Sequence, residues 1–190
     1  MVQELNNIFD IYLRLFKKEK ESIYQFIDKE LIYETIIENY EENLKINKLI
    51  AEQSETIFQV NSFFNLPSIA LLSGKPKLLA KVDNKININF YNLINYIDDV
   101  ELLLYESSKD LVFKYDFHVD FLFINNYLEK NNGSEYYDNI FNNINPEKFI
   151  IIEGIDDYFL RKIDYFLNFK NWKIYYFNKN KFDSIVLKKI

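Results

Sequence analysis

Val119 to Ile124 and Lys148 to Ile152 carry apolar side chains on successive residues, and no other feature of the chain constrains the fold as tightly. Neighbouring residues of a strand point to opposite faces, so such a run must be covered on both faces. That is the situation of a central strand in a mainly parallel sheet. Three more short apolar runs read the same way: Ile57 to Val60, Lys77 to Val82 and Val100 to Tyr105. The segments between the five runs, Pro67 to Ser73, Asn87 to Ile97, Ser134 to Ile144 and Asp156 to Phe169, are long enough for helices. Strands alternating with helices predict parallel pairing through right-handed crossovers. The rhythm breaks at the end. Trp172 to Phe177 and Phe182 to Leu187 are joined only by Asn178 to Lys181, too short for a crossover, and predict an antiparallel hairpin. The expected fold is α/β: a mostly parallel seven-stranded sheet with a C-terminal hairpin, in a three-layer sandwich.

From Val2 to Glu55 there is neither Pro nor Gly, and apolar residues recur at three-and-four spacing, as in Leu5, Ile8, Phe9, Tyr12, Leu13 and Phe16. This is the pattern of amphipathic helix. The stretch is long for one globular helix, so breaks are expected near Glu19 to Glu21 and near Tyr40 to Glu42. Two or three helices in residues 1–55 then pack on the α/β domain of residues 56–190, making one structural domain from 190 residues. The same helices could pair two copies of the chain across a two-fold axis.

Composition removes several functions. The 15 Tyr and 18 Phe suggest a stacking surface, but Lys, Asn and Ile are abundant too and the only arginines are Arg14 and Arg161, the profile of A/T-rich codons. Aromatic residues also fill ordinary cores. A net charge of -6 speaks against non-specific nucleic-acid binding, and the run Lys17, Lys18, Lys20 is interrupted by Glu19 and Glu21. With no cysteine and a single histidine, His118, neither a thiolate nucleophile nor a zinc site of the usual ligands is expected, and no metal is assigned. No apolar run approaches about 18 residues and the amino terminus lacks a signal-peptide pattern, so a cytoplasmic chain without a membrane span is expected. No G-x-G-x-x-G follows any strand, and Gly74, Lys75 is followed by Pro76 without the glycines of a phosphate loop.

The order of elements, and several strings within it, resembles the class I S-adenosylmethionine-dependent methyltransferases, in particular the small O-methyltransferase-like group. The likeness spans Thr56 to Lys188 and implies a Rossmann-like fold. In that family the first strand ends in an acid and a glycine-rich turn, E-I-G-x-x-x-G-x-S-T, where bare backbone approaches the cofactor closely. The matching string here runs from Gln59 through Val60, Asn61, Ser62, Phe63, Phe64, Asn65, Leu66 and Pro67 to Ser68. Both glycines have become asparagine, the residue that best tolerates left-handed backbone after glycine, and Gln59 replaces the acid. The resemblance assigns Gln59, Asn61, Ser62, Phe63 and Asn65 to the cofactor turn. It assigns Asp83, ending the second strand, to the ribose hydroxyls, and Glu106 and Ser107, ending the third, to the adenine.

The fourth strand, VDFLFINN, matches V-D-x-x-F-I-D-G with Asp120 kept and Asn125 in place of the final acid. The fifth, FIIIEGIDDY, resembles L-I-I-I-H-D-I-D-D-Y and leaves Glu153, Asp156 and Asp157 at the carboxyl end of the sheet. Methyl transfer to a hydroxyl needs orientation and a base. Glu153 is the best-placed carboxylate, Asn125 takes the position of an acid that in the family often lies beside the transferred methyl, and Tyr127 and Glu129 follow the fourth strand. His118 precedes that strand, at the wrong end of the sheet. Asp156 reads as a helix cap. Two functions stay open: S-adenosylmethionine-dependent O-methyl transfer to a sugar or small hydroxylated acceptor, and a catalytically inactive relative serving as a binding or scaffolding module. The four lost motif residues weigh toward the second.

Overall fold

A computed structural model describes residues 34–61, 66–83, 99–106, 117–127, 134–179 and 183–190. The first element is a helix, α1 (Glu34–Ala51), and it runs unbroken through Tyr40 to Glu42, where a break was expected. No Gly or Pro interrupts this stretch, and Tyr40 turns inward to a fully buried position, so packing carries the helix through its acidic turn. The break expected near Glu19 and the helix expected over residues 87–97 lie outside the described residues.

After α1 the elements alternate as β1 (Thr56–Val60), α2 (Leu66–Ser73), β2 (Leu78–Asp83), β3 (Glu101–Glu106), β4 (Phe121–Asn125), α3 (Ser134–Asn143), β5 (Phe149–Glu153), α4 (Asp157–Phe169), β6 (Trp172–Asn178) and β7 (Ser184–Lys189). The seven strands form one sheet in the order β3-β2-β1-β4-β5-β7-β6. The first five are parallel, while β7 runs antiparallel to both β5 and β6. The expected fold class is therefore the observed one. Chain order reverses direction between β1 and β4, and the crevice outside the carboxyl ends at such a point is where open α/β folds hold ligands.

The double-sided runs do what their pattern requires. Every residue of β4 and of β5 is buried. Even-numbered side chains such as Phe58, Leu122, Ile124, Ile150 and Ile152 face α3 and α4, where Tyr137, Ile140, Phe159 and Ile163 cover them. Ile57, Phe121, Phe123, Phe149 and Ile151 face the other way, onto Ile50 and Ala51 of α1 and Leu71 and Leu72 of α2. Burying one such side chain contributes about 1.5–3 kcal/mol. Asp156 caps α4, its side chain accepting from the Phe159 N–H at 3.0 Å.

Gly74 sets how closely α1 and α2 approach. A Cβ there would sit 2.4 Å from the Ala51 Cβ and 2.8 Å from backbone atoms of Ala51 and Glu52. Neither neighbour can swing away. Gly74→Ala is therefore expected to destabilise the fold by about 1–3 kcal/mol, and Ile151→Ala, which opens a cavity on the same face, by about 2–5 kcal/mol. Urea unfolding followed by circular dichroism measures both, with exposed Glu101→Ala as a near-neutral comparison.

Candidate functional site

Side-chain parity builds the site. In β4 and β5 the odd residues face α1, so the last ones, Asn125 and Glu153, face it as well, and they are register partners on adjacent strands. Gln59 and Asn61 fall on that face through Ile57 of β1, and Ser184, opposite Glu153, through Val186 of β7. The tips of four neighbouring strands thus carry a row of polar side chains, all of them buried.

α1 crosses over this row. Tyr40, Asn43 and Asn47 share one helix face at three-and-four spacing and replace the apolar stripe where the helix passes the strand tips. The Tyr40 hydroxyl donates to Glu153 Oε2, Asn47 Nδ2 donates to Oε1 at 3.0 Å, and Asn125 Nδ2 donates to Oε2 at 2.7 Å. Asn178 Nδ2 donates to Asn43 Oδ1 at 2.9 Å, fixing the same helix to β6. Glu153 has no solvent exposure at all. Burial is the main cause that raises its pKa, to about 7, and the three donors oppose the rise.

Gln59 and Asn61 are equally committed. Gln59 Oε1 accepts from the Ser68 hydroxyl at 2.9 Å, and its Nε2 donates to the Asn61 carbonyl at 3.2 Å. Asn61 has φ of 60°, so the left-handed bend after β1 is present without glycine. Its Nδ2 donates to the Asn125 carbonyl at 3.3 Å, bridging β1 and β4 across the switch point. Its Oδ1 is buried with no hydrogen-bond partner. A glycine would leave that space to a ligand; here an amide fills it.

Of the residues assigned from the sequence, the structure brings Gln59, Asn61, Asn125 and Glu153 together. Asp83 and Glu106 are register partners at the ends of β2 and β3, two and three strands from β4. Ser62, Phe63, Asn65, Ser107 and Glu129 lie outside the described residues. His118 stands at the amino end of β4, 3.0 Å from Glu147, away from the strand tips. Tyr127 has its phenol pushed upward by burial first and by Glu153 and Asp183 next, so it stays protonated and is no base. Its hydroxyl donates to the Asp183 carbonyl at 2.6 Å. Sequence reasoning missed Tyr40, Asn43, Asn47, Asn126 and Asp183. The stripe of Tyr40, Asn43 and Asn47 at helical spacing was the available signal for the first three.

Beside the same tips, Asn126, Tyr127, Gly154, Ile155, Asp156 and Asp183 line an open cleft of about 520 Å³. Gly154 has φ of 73°, and a Cβ there would meet Asn126 and Tyr127 at 3.1 Å. Among the described residues no group of three His, Cys, Asp or Glu could hold a metal ion, and no helix is long and apolar enough to cross a membrane.

No protein-family model matches the chain, and no curated protein does. Solved structures do. An O-methyltransferase from Bacillus cereus in complex with S-adenosylhomocysteine is 10% identical over 98% of this chain and 89% of its own, with a TM-score of 0.55. A putative O-methyltransferase from Klebsiella pneumoniae is 11% identical over 96% and 89%, at 0.58. The 16S rRNA methylase RmtB is 10% identical over 96% and 74%, at 0.56. The fold is that of the class I S-adenosylmethionine-dependent methyltransferases. The residues on the β1–β4 side of the crevice do not fit that cofactor as they stand, because Asn61 is bonded across it and neutral Gln59 takes the place of the acid.

The raised acid gives a pH signature. Glu153 holds its proton in the folded state up to about 7, against 4.5 when exposed, so in that window the folded chain binds more protons than the unfolded one. Stability from this group is complete below about 4.5 and is lost as pH rises through about 7. The loss is on the order of 3 kcal/mol. Glu153→Gln is expected to flatten the fall between pH 5 and 7, measured by urea unfolding at a series of pH values. An unchanged slope means that Glu153 is not the group responsible.

Proposed function

We propose that the chain keeps the methyltransferase fold as a binding or scaffolding module and does not transfer methyl groups. The observation that carries this reading is the sealed row at the strand tips. Among the described residues Glu153, the best-placed carboxylate at the strand tips, is fully buried and already takes hydrogen bonds from Tyr40, Asn47 and Asn125, which leaves its oxygens engaged within the fold. Asn125 cannot take a proton, and Asn61 spans the place where a cofactor needs bare backbone. Each amide removes charge or space from the site, and together they exchange a ligand crevice for a hydrogen-bonded seam.

A second reading is S-adenosylmethionine-dependent O-methyl transfer to a sugar or small hydroxylated acceptor. It is favoured by the left-handed bend retained at Asn61 and by Asp83 at the end of β2. The net charge of -6 supports a small acceptor in preference to non-specific nucleic acid, although the neighbour RmtB is named as an rRNA methylase. A cytoplasmic location and pairing of two copies through the helices before Glu55 belong to either reading.

Calorimetric titration of the full chain with S-adenosylmethionine and S-adenosylhomocysteine separates the two. No heat at high micromolar ligand is the expected result; saturable binding at that concentration overturns the first reading. In that event Asp83→Ala should weaken binding by about 1.5–3 kcal/mol, the range for a hydrogen bond to a charged group.

A further inference from the structure

We propose that the β6 edge of the sheet, with the end of α4, is a docking surface for an anionic membrane, its lysines meeting acidic headgroups and its exposed apolar side chains entering the headgroup layer. The surface uses none of the residues that enclose Glu153. The inference therefore goes beyond the binding-module reading and stands whether or not the cofactor binds.

Charge is the first argument. Residues 169–190 hold six lysines and one acid, a charge of +5 in a chain of -6, so the 168 residues before them carry -11. The asymmetry persists in the pairing. Lys45, Lys48, Lys77, Lys148 and Lys162 each meet a carboxylate, whereas among the described residues Lys170, Lys173, Lys179, Lys188 and Lys189 meet none. Lys173 and Lys188 are register partners across β6 and β7. Like charges set opposite each other repel, and an anionic surface relieves that cost. Screening limits the influence of the acidic remainder, since the Debye length is about 8 Å at physiological salt.

Apolar exposure is the second argument, and it falls in the same place. Eight large apolar side chains are exposed among the described residues, and Leu49 is the only one outside residues 160–190. Phe169 is 73% exposed, and Ile174, Tyr175 and Phe177 of the edge strand are each at least 45% exposed. Tyr165 meets Phe169 with ring centroids 5.7 Å apart, and Phe166 joins this end of α4 to Trp172 of β6 at 5.9 Å. The cations stand over the same rings. Lys170 lies 5.8 Å from the Tyr165 centroid, Lys179 5.6 Å from Phe177 and Lys188 5.4 Å from Tyr175. Basic and apolar groups thus share one surface, the composition of a site that lies in a membrane interface.

Shape selects the occupant. Ile174 and Phe177 pair with Leu187 and Ile185, which face α3 and α4, while Tyr175 meets Phe149 on the face toward α1. The register shift between Ile174 and Tyr176 lets apolar side chains leave both faces of one edge strand. Rings divided in this way form no single platform for stacked bases. A ridge with lysines and apolar groups on both flanks fits edge-on entry into a hydrated headgroup layer, where the outer backbone groups of β6 keep their contact with water.

Flotation of the full chain with vesicles tests this, comparing phosphatidylcholine alone with the same lipid carrying about one-third phosphatidylserine. The chain should float with the anionic vesicles at low salt, and about 1 M salt should release most of it. Lys173→Gln with Lys188→Gln should weaken binding by about tenfold or more, at roughly fivefold for each lysine. Phe169→Ser should weaken it by about tenfold through lost apolar burial. Lys77→Gln, beside β2 and five strands from β6, should leave binding unchanged. Removing two opposed cations should not lower the thermal melt; if it does, Lys170→Gln with Lys179→Gln decides by the same flotation. Equal binding to the neutral vesicles, binding that survives the lysine or the Phe169 substitutions, no binding at low salt, or capture by single-stranded RNA in preference to vesicles overturns the proposal. The cofactor titration is unaffected by any of these results.

Discussion

Glu153 is the point from which the upper half of the molecule is organised. It ends β5, the strand between the last parallel ladder and the antiparallel one, and its side chain is fully enclosed. A carboxylate taken out of water is costly unless its oxygens are hydrogen-bonded. Tyr40 and Asn47 meet that need from α1 and Asn125 meets it from β4, so the requirement of one group fixes how α1 lies across the strand tips. Asn43 then reaches Asn178, and Tyr176 donates to Glu42, tying the helix to the hairpin as well.

Two kinds of anion are handled differently within one fold. At the amino end of the sheet Asp120 joins Lys148 and the Glu55 N–H, and these partners bring its carboxyl below the ordinary range although burial works against them. At the carboxyl end Glu153 has only neutral donors and rises instead. The first arrangement is a clamp between β4, β5 and the turn before β1. The second leaves an acid near neutrality in a place where the fold ordinarily keeps a ligand crevice, and seals it there.

The exchange of glycine for asparagine is the local change on which the functional reading rests. At Asn61 the backbone keeps the geometry that glycine would have adopted, because an asparagine side chain tolerates a left-handed φ. The geometry survives; the vacancy does not. The amide reaches Asn125 and joins the two strands that diverge at the switch point, and one of its acceptors is left buried and unpaired. An unpaired buried acceptor is a cost of about 1–3 kcal/mol, consistent with a position shaped first for a ligand and later filled.

Much of this was legible in the residues. The unbroken apolar runs of β4 and β5 required two covered faces, and the short link after Asn178 required a hairpin; the register that sets Asn125 beside Glu153 came from the sheet itself. Asp156 announced its cap. These follow from covalent geometry and local hydrogen bonding, which act within a few residues. Where the sequence misled, at the supposed break near Tyr40, a polar turn in a helix looked like an end because nothing local reveals that the polar residues face inward. Tyr40 meets Glu153 across 113 positions of chain, and Asn178 meets Asn43 across 135. The mainly parallel pairing, the two-sided burial of the central strands and the final hairpin were set by the chain itself. Which polar groups meet at the strand tips was decided by which distant residues burial forced into contact.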